Sequence, residues 1–331
     1  MMRRREFIAL LGGAAAWPLA TRAQQRDRMR RVGVLMGFGE NDPDGKTDLA
    51  GFMRVLAELG WTDGSNLQMD IRWSGANTDR IRMFAKELVE LQPDLIVAHS
   101  TPVTAELKRA TRTIPIMFVS VSDPVGDGFV ASLSRPGGNV TGFINYEGSI
   151  AGKWLELLKE IAPSVKRVAA VFNPDTAPGG GSFFLSSFEA AAKALNVELI
   201  KAHVHSEAEI EMAINSLGRE PGNAFVQMSD GYLHAHVKLM LLLAAQNNVP
   251  AVYNGSAVVR QGGLISYQAD RRELFPRAAS YVDRILRGGK TAELPVQVPT
   301  KFEMAVNLRT AKALGLTVPP SILLRADVVI E

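Results

Sequence analysis

From residue 32 onward the chain alternates short apolar runs with amphipathic stretches, in two rounds with the same punctuation. Val32–Met36, Leu67–Trp73, Leu95–Ala98 and Ile116–Val119 read as strands. Thr47–Leu59, Thr78–Leu91 and Val103–Thr111 lie between them and read as amphipathic helices. Gly60 suits the C-terminal cap of the first helix and Thr78 the N-cap of the second. Strands that alternate with helices pair in parallel, because each crossover carries the chain back before the next strand begins. The pattern therefore predicts an α/β fold with helices on both faces of a parallel sheet. Gly137-Gly138 turns the chain into one more short strand, Val140–Phe143.

The second round begins with a helix over Ile150–Ile161 and a strand over Arg167–Phe172. Helices over Phe184–Leu195, Glu207–Leu217 and His236–Gln246 then alternate with strands over Val197–Ala202, Ala224–Met228 and Ala251–Tyr253. Each round contains the order helix, proline, strand, serine, helix, proline, strand. Pro221 follows Pro93 by 128 residues, and Pro250 follows Pro115 by 135. A period of that size is a domain repeat and far too long for a solenoid. Two similar doubly wound, Rossmann-like lobes follow from it. The tail holds a strand (Gly263–Tyr267), a long helix (Arg271–Arg287) with Pro276 in its early turns, an extended stretch (Leu294–Pro299), a strand (Phe302–Val306) and a short helix (Thr310–Leu314). These pieces are too few for a third core and are expected to complete the two sheets. The expected divisions are 1–23 as an export signal, 28–143 plus about 268–295 as lobe 1, and 144–267 plus about 296–331 as lobe 2.

The first 23 residues stand apart from this pattern. Arg3, Arg4 and Arg5 precede an apolar stretch of 13 residues, Ile8–Ala20, and then Thr21-Arg22-Ala23. That is the basic, apolar and small-residue order of an export signal cut after Ala23. The apolar stretch is short of the roughly 20 residues that span a bilayer. Arg4-Arg5-Glu6-Phe7-Ile8 fits the twin-arginine pattern, with an ordinary secretory signal as the alternative. A periplasmic location follows from either. The formal charge of +3 arises entirely here, since residues 24–331 carry 33 basic and 33 acidic side chains. A neutral body gives no support to a nucleic-acid partner. The absence of cysteine excludes disulfides, cysteine-ligated metal and a thiol nucleophile.

In open parallel sheets, ligands bind beyond the carboxyl ends of strands, where helix N-termini present free N–H groups. In lobe 1 those ends carry Phe38 and Glu40, then Ser100 and Thr101, then Ser122 and Asp123. In lobe 2 they carry Asn173 and Asp175, then Asp230 and Tyr232, then Asn254. Asn145 and Tyr267 lie where the chain crosses between lobes. Ser100 and Thr101 open a helix and suit a carboxylate; Asp123 or Asp230 suits an ammonium group. Ser, Thr, Asp and Asn at such turns serve equally as helix caps.

Other chemistry has little support. There is no G-x-S-x-G elbow, and no G-x-G-x-x-G follows the first strand. Gly289-Lys290-Thr291 follows a helix and lacks the upstream glycine of a phosphate-binding loop. Gly179-Gly180-Gly181-Ser182 reads as a flexible loop. His203-Val204-His205 and His234-Ala235-His236 lack an evident third ligand, so no metal is expected, and no cofactor.

Several longer phrases resemble one family across nearly the whole chain. They include Gly60-Trp61-Thr62-Asp63-Gly64, Ser122-Asp123-Pro124-Val125-Gly126 and Arg135-Pro136-Gly137-Gly138-Asn139-Val140-Thr141-Gly142. Gly152-Lys153-Trp154-Leu155-Glu156-Leu157-Leu158-Lys159, Phe172-Asn173-Pro174-Asp175-Thr176 and Leu308-Arg309-Thr310-Ala311-Lys312-Ala313-Leu314-Gly315-Leu316 continue it. Together they resemble ABC-transporter substrate-binding proteins of the tryptophan/tyrosine-binding type. The resemblance implies a type I periplasmic binding fold, two lobes joined by three hinge strands that close on a solute. It implies a monomer that delivers a small polar ligand, an amino acid or related carboxylate, to ABC permease subunits. Ser100-Thr101-Pro102 and Asp123-Pro124 match the family's loops, and Asn173 and Asp230 its polar positions in the second lobe. Pro178–Ser182 and His99 depart from the family's usual residues there, which leaves open whether the ligand is aromatic. An exported hydrolase-like enzyme and a ligand-presenting sensor subunit are the competing expectations.

Overall fold

The computed structural model describes residues 29–331. The expected export signal, its twin-arginine pattern and the cut after Ala23 lie outside these residues. Lobe 1 runs β1 (Arg30–Met36), α1 (Pro43–Glu58), β2 (Leu67–Trp73), α2 (Thr78–Glu90), β3 (Leu95–His99), α3 (Thr101–Ala110), β4 (Ile116–Val121) and β5 (Val140–Ile144). Lobe 2 continues with α4 (Ile150–Ile161), β6 (Arg167–Phe172), α5 (Ser182–Ala194), β7 (Glu198–His203), α6 (Glu207–Leu217) and β8 (Asn223–Gln227). Next come α7 (Gly231–Ala235), α8 (Val237–Gln246), β9 (Ala251–Tyr253), α9 (Ser256–Arg260) and β10 (Ile265–Ala269). The tail holds α10 (Arg271–Leu286), β11 (Phe302–Asn307), α11 (Leu308–Ala313), α12 (Pro320–Arg325) and β12 (Val328–Ile330).

The first sheet has the order β2-β1-β3-β4-β5 and is parallel throughout. The second repeats that order as β7-β6-β8-β9-β10 and then adds β11 and β12. Only β11 runs antiparallel to its neighbour β10. The two rounds of the sequence are thus one doubly wound topology built twice. Each sheet is covered on both faces. Val32, Val34, Phe52 and Phe275 pack on one face of the first sheet, and Ile81, Leu88, Val103 and Phe118 on the other. Trp154, Phe184 and Phe188 cover one face of the second, and Ile210, Leu233 and Met240 the other.

The tail serves both lobes. Leu274, Phe275, Ala278 and Val282 of α10 are buried in the core of lobe 1. The stretch after α10 then runs beside β5: Thr141 Oγ1 donates to the Leu294 carbonyl (2.6 Å) and Ile144 N–H to the Gln297 carbonyl (3.0 Å). From there the chain enters β11. It therefore passes between the lobes three times, after β5, between β10 and α10, and before β11.

Several boundaries differ from the sequence reading. Helix α1 starts at Pro43 because Asp42 caps it, accepting from Asp44 N–H (2.9 Å) and Gly45 N–H (3.0 Å), and proline is tolerated in a first turn. Asn77, and not Thr78, caps α2, through Arg80 N–H (2.9 Å). The helix expected over His236–Gln246 forms as α8 from Val237, and an additional short helix, α7, precedes it across His236. The strand expected over Gly263–Tyr267 is shifted to Ile265–Ala269. Helices α9 and α12 and strand β12 are too short to leave a periodic signal.

Candidate ligand cleft

In a sheet of this order the winding reverses between β1 and β3, and between β6 and β8 in the second lobe, which opens a crevice beyond those carboxyl ends. At both places a side chain from the second strand's end accepts the first backbone N–H beyond the first strand. Gly37 N–H donates to His99 Nδ1 (3.2 Å), and Asn173 N–H donates to Asp230 Oδ2 (3.0 Å). The two lobes thus present matching, internally braced rims.

In lobe 1 the bond from Gly37 leaves the proton of a neutral His99 ring on Nε2. His99 is buried; Phe38 stacks on it with centroids 4.5 Å apart and planes at 17°, and Phe275 lies against it at 5.6 Å. A Cβ at position 37 would stand 3.0 Å from Ser100 Oγ and 3.1 Å from His99 Nδ1, so glycine is what lets the loop close here. Glu40, two residues past Phe38, is exposed. Ser100 occupies the N-cap position of α3 with φ 86° and ψ 159°, a region that is essentially glycine's and costs about 1–3 kcal/mol. Its hydroxyl makes no capping bond. Thr101, half-buried, is the first residue of α3, whose N–H groups favour an anion. Ser120 also has a positive φ, 63°, where the pairing of β4 with β5 slips by a residue.

The loop after β4 holds three more expected residues. Ser122 Oγ donates to Asn145 Oδ1 (3.0 Å), which ties the loop to the first hinge crossing. Asp123 Oδ1 accepts from Gly126 N–H (2.8 Å). The neighbouring Asp127 was not foreseen. Burial, and then the charge of Asp123, push its carboxyl up to about 6.

In lobe 2 Asp230 is a hub. Besides Asn173 N–H it accepts from Leu233 N–H (2.7 Å) and Thr176 Oγ1 (3.3 Å), so it caps α7 and anchors the loop after β6. Burial pushes its pKa up, and these donors work against that rise. Asp175 faces away to His205 Nδ1 (3.0 Å) at the sheet edge. Its N–H donates to Asn173 Oδ1 (2.8 Å). Tyr232 lies over His236 with ring centroids 4.2 Å apart. Burial, followed by Glu207, Glu209 and Asp230, raises its phenol pKa. Asn254 Nδ2 donates to the Gln227 carbonyl (3.1 Å). Tyr267 stacks on Phe302 at 5.3 Å, and its carbonyl accepts from Trp154 Nε1 (2.7 Å).

The structure thus gathers Phe38, Ser100 and Thr101 on one rim and Asn173, Asp230 and Tyr232 on the other. Ser122, Asp123 and Asn145 stand beside the crossing, and Asp175 points outward. Sequence reasoning missed His99 as a ring platform, although its place at a strand end was the available signal. It also missed Gln227 and Ser266, whose amide oxygen Oε1 and hydroxyl are buried without a hydrogen-bond partner. Among the described residues no group of three or more His, Asp or Glu is placed to hold a metal ion.

Two lobes of one doubly wound order, joined by three crossings, define a type I periplasmic binding fold. The chain matches the ABC transporter substrate binding protein family over residues 41–330 and belongs to it. It is 29% identical over 266 residues to a tyrosine-binding protein of Clostridioides difficile, covering 80% of this chain and 76% of that one. It is similar to the ABC domain of Streptococcus pneumonia solved in complex with L-Trp, with a TM-score of 0.81 and 27% identity over 91% of this chain and 99% of that chain. A ligand-free, open substrate-binding protein with adhesive properties from Clostridium difficile superposes with a TM-score of 0.73, at 25% identity over 91% of this chain and 99% of that chain.

Proposed function

We propose that this protein is the extracytoplasmic binding component of an ABC importer for an amino acid or closely related carboxylate, with an aromatic side chain favoured. Ser100 carries the reading. Its backbone is held in a glycine-like conformation at the start of α3 and its hydroxyl is not spent on the cap. Strain of that kind persists where a site requires it, and the first turn of α3 suits a ligand carboxylate. The stacked Phe38 and His99 rings provide an apolar wall at the same rim. The likeness to a protein solved with L-Trp supports an aromatic side chain.

In this reading the lobes, 28–143 with about 268–295 and 144–267 with about 296–331, close on the ligand as a monomer. The permease subunits recognise the closed state, which ligand contacts from both lobes stabilise. Residues 1–23 direct export to the periplasm and are removed after Ala23. The test is a thermal-shift screen of the exported chain against amino acids, aromatic and branched acids, purines and sugars. A specific ligand stabilises by about 2.7 kcal/mol at a hundredfold excess over Kd. An aromatic amino acid raises the melting temperature, and Ser100→Ala weakens that effect. A screen in which no small carboxylate binds rejects the assignment.

A further inference from the structure

Asp230 looks like the natural partner for a ligand amine, yet its oxygens already accept from Asn173, Thr176 and Leu233. Lobe 2 also holds acceptors that its own fold leaves unused. Gln227 Oε1, Asn254 Oδ1 and Ser266 Oγ are each buried without a hydrogen-bond partner among the described residues. Gln227 and Ser266 are each only 1% exposed. Their placement follows from the register. Val226 pairs with Val252 and Ser266 with Tyr253, so Gln227 and Ser266 flank Tyr253 in one row on one face of the sheet. Asn254 is the next residue towards the cleft. Its Nδ2 donates to the Gln227 carbonyl, which fixes the amide so that Oδ1 is the acceptor left over. Gly255 follows with φ 100°, and a Cβ there would stand 3.3 Å from the Gln268 amide. Buried polar groups are seldom left unpaired, because desolvation is then uncompensated. Three such atoms, on the last residue of β8, the residue after β9 and the second residue of β10, mark a place where binding completes the pairing.

We propose that Gln227 and Asn254, backed by Ser266, form the second lobe's half of the ligand site and accept the N–H donors of the ligand's amine through their amide oxygens. Rotation of the Gln227 amide about its last torsion, which is soft, turns Oε1 towards the cleft as the lobes close. Asp230 then acts as a positioning residue that braces the rim. This inference rests on the reading of the protein as an amino-acid binder.

The experiment compares L-tryptophan with indole-3-propionate, which keeps the ring and carboxylate and lacks the amine. Affinities are measured by calorimetry on the wild type, Gln227→Leu and Ser266→Ala, together with the melting temperature of each ligand-free protein. Gln227→Leu is expected to lower affinity for L-tryptophan by about tenfold and to change that for indole-3-propionate by less than about twofold. Replacing an unpaired buried amide by an apolar group of similar shape also leaves the ligand-free protein as stable as the wild type or more so. Equal loss of both ligands, or no loss of either, overturns the proposal and leaves the importer reading intact. A wild type that binds neither compound excludes an indole ligand, and the same comparison is then made with the amino acid found in the screen and its deaminated analogue. Even then, a lower melting temperature for ligand-free Gln227→Leu shows the amide to be structural and overturns this assignment separately.

Discussion

Single residues at these strand ends carry structural costs of their own. Ser100 holds a backbone conformation that glycine adopts freely. Ser100→Gly is therefore expected to raise the melting temperature of the ligand-free protein, by relief of about 1 kcal/mol or more, while weakening ligand binding. Calorimetry of the two proteins checks both halves. Asp127 gives a pH-dependent counterpart. Its carboxyl is raised from 3.8 to about 6, so ionisation is penalised in the fold. The penalty is absent below about pH 4, grows as pH rises and is complete above about pH 6. Asp127→Asn should melt with the wild type near pH 4 and about 2 °C above it at pH 8, a small gain because solvent screens this half-exposed side chain. A difference that shrinks as pH rises contradicts the assigned cause. The sequence placed Ser100 at a helix start, where capping and binding look alike. Only its φ and the missing cap bond separate the two.

At the scale of elements, the loops are held by strand ends more than by their own composition. Helix α7 has five residues and depends on Asp230 for its first turn. Asp230→Ala leaves the N–H groups of Leu233 and Asn173 without their acceptor. It should cost about 2–3 kcal/mol in urea unfolding, with an unchanged slope. Ligand affinity should fall with it, because the loop after β6 loses its anchor. Helix signals in the sequence were legible where periodicity ran for three turns, as in Ile150–Ile161 and Glu207–Leu217. They failed at α9 and α12, where one turn forms only because the sheet beside it is already in place.

The whole molecule is built on two sheets, each with its own cores. Each lobe has cores on both faces of its own sheet, and the chain crosses between the lobes three times. Lobes braced internally at their rims can move as units. Small-angle scattering should show a smaller radius of gyration when an aromatic amino acid is added in excess over its Kd. An unchanged radius, with binding confirmed, rules out closure as the consequence of binding. Among the described residues no helix is long and apolar enough to cross a membrane.

The order of strands and helices, their parallel pairing and the twofold repetition were determined by the sequence itself. Apolar periodicity and turn residues act locally, and each round carries its own copy. The antiparallel pairing of β11 with β10, and the formation of β12 beside it, needed the tertiary structure, since a short apolar segment can pair in either direction. The same holds for the chemistry of the cleft. Asp230 and Gln227 lie three residues apart, and composition favours the carboxylate as the ligand's partner. Packing adds what composition cannot show: it surrounds Asp230 with donors from the loop after β6 and from α7, and leaves the Gln227 amide oxygen with none among the described residues.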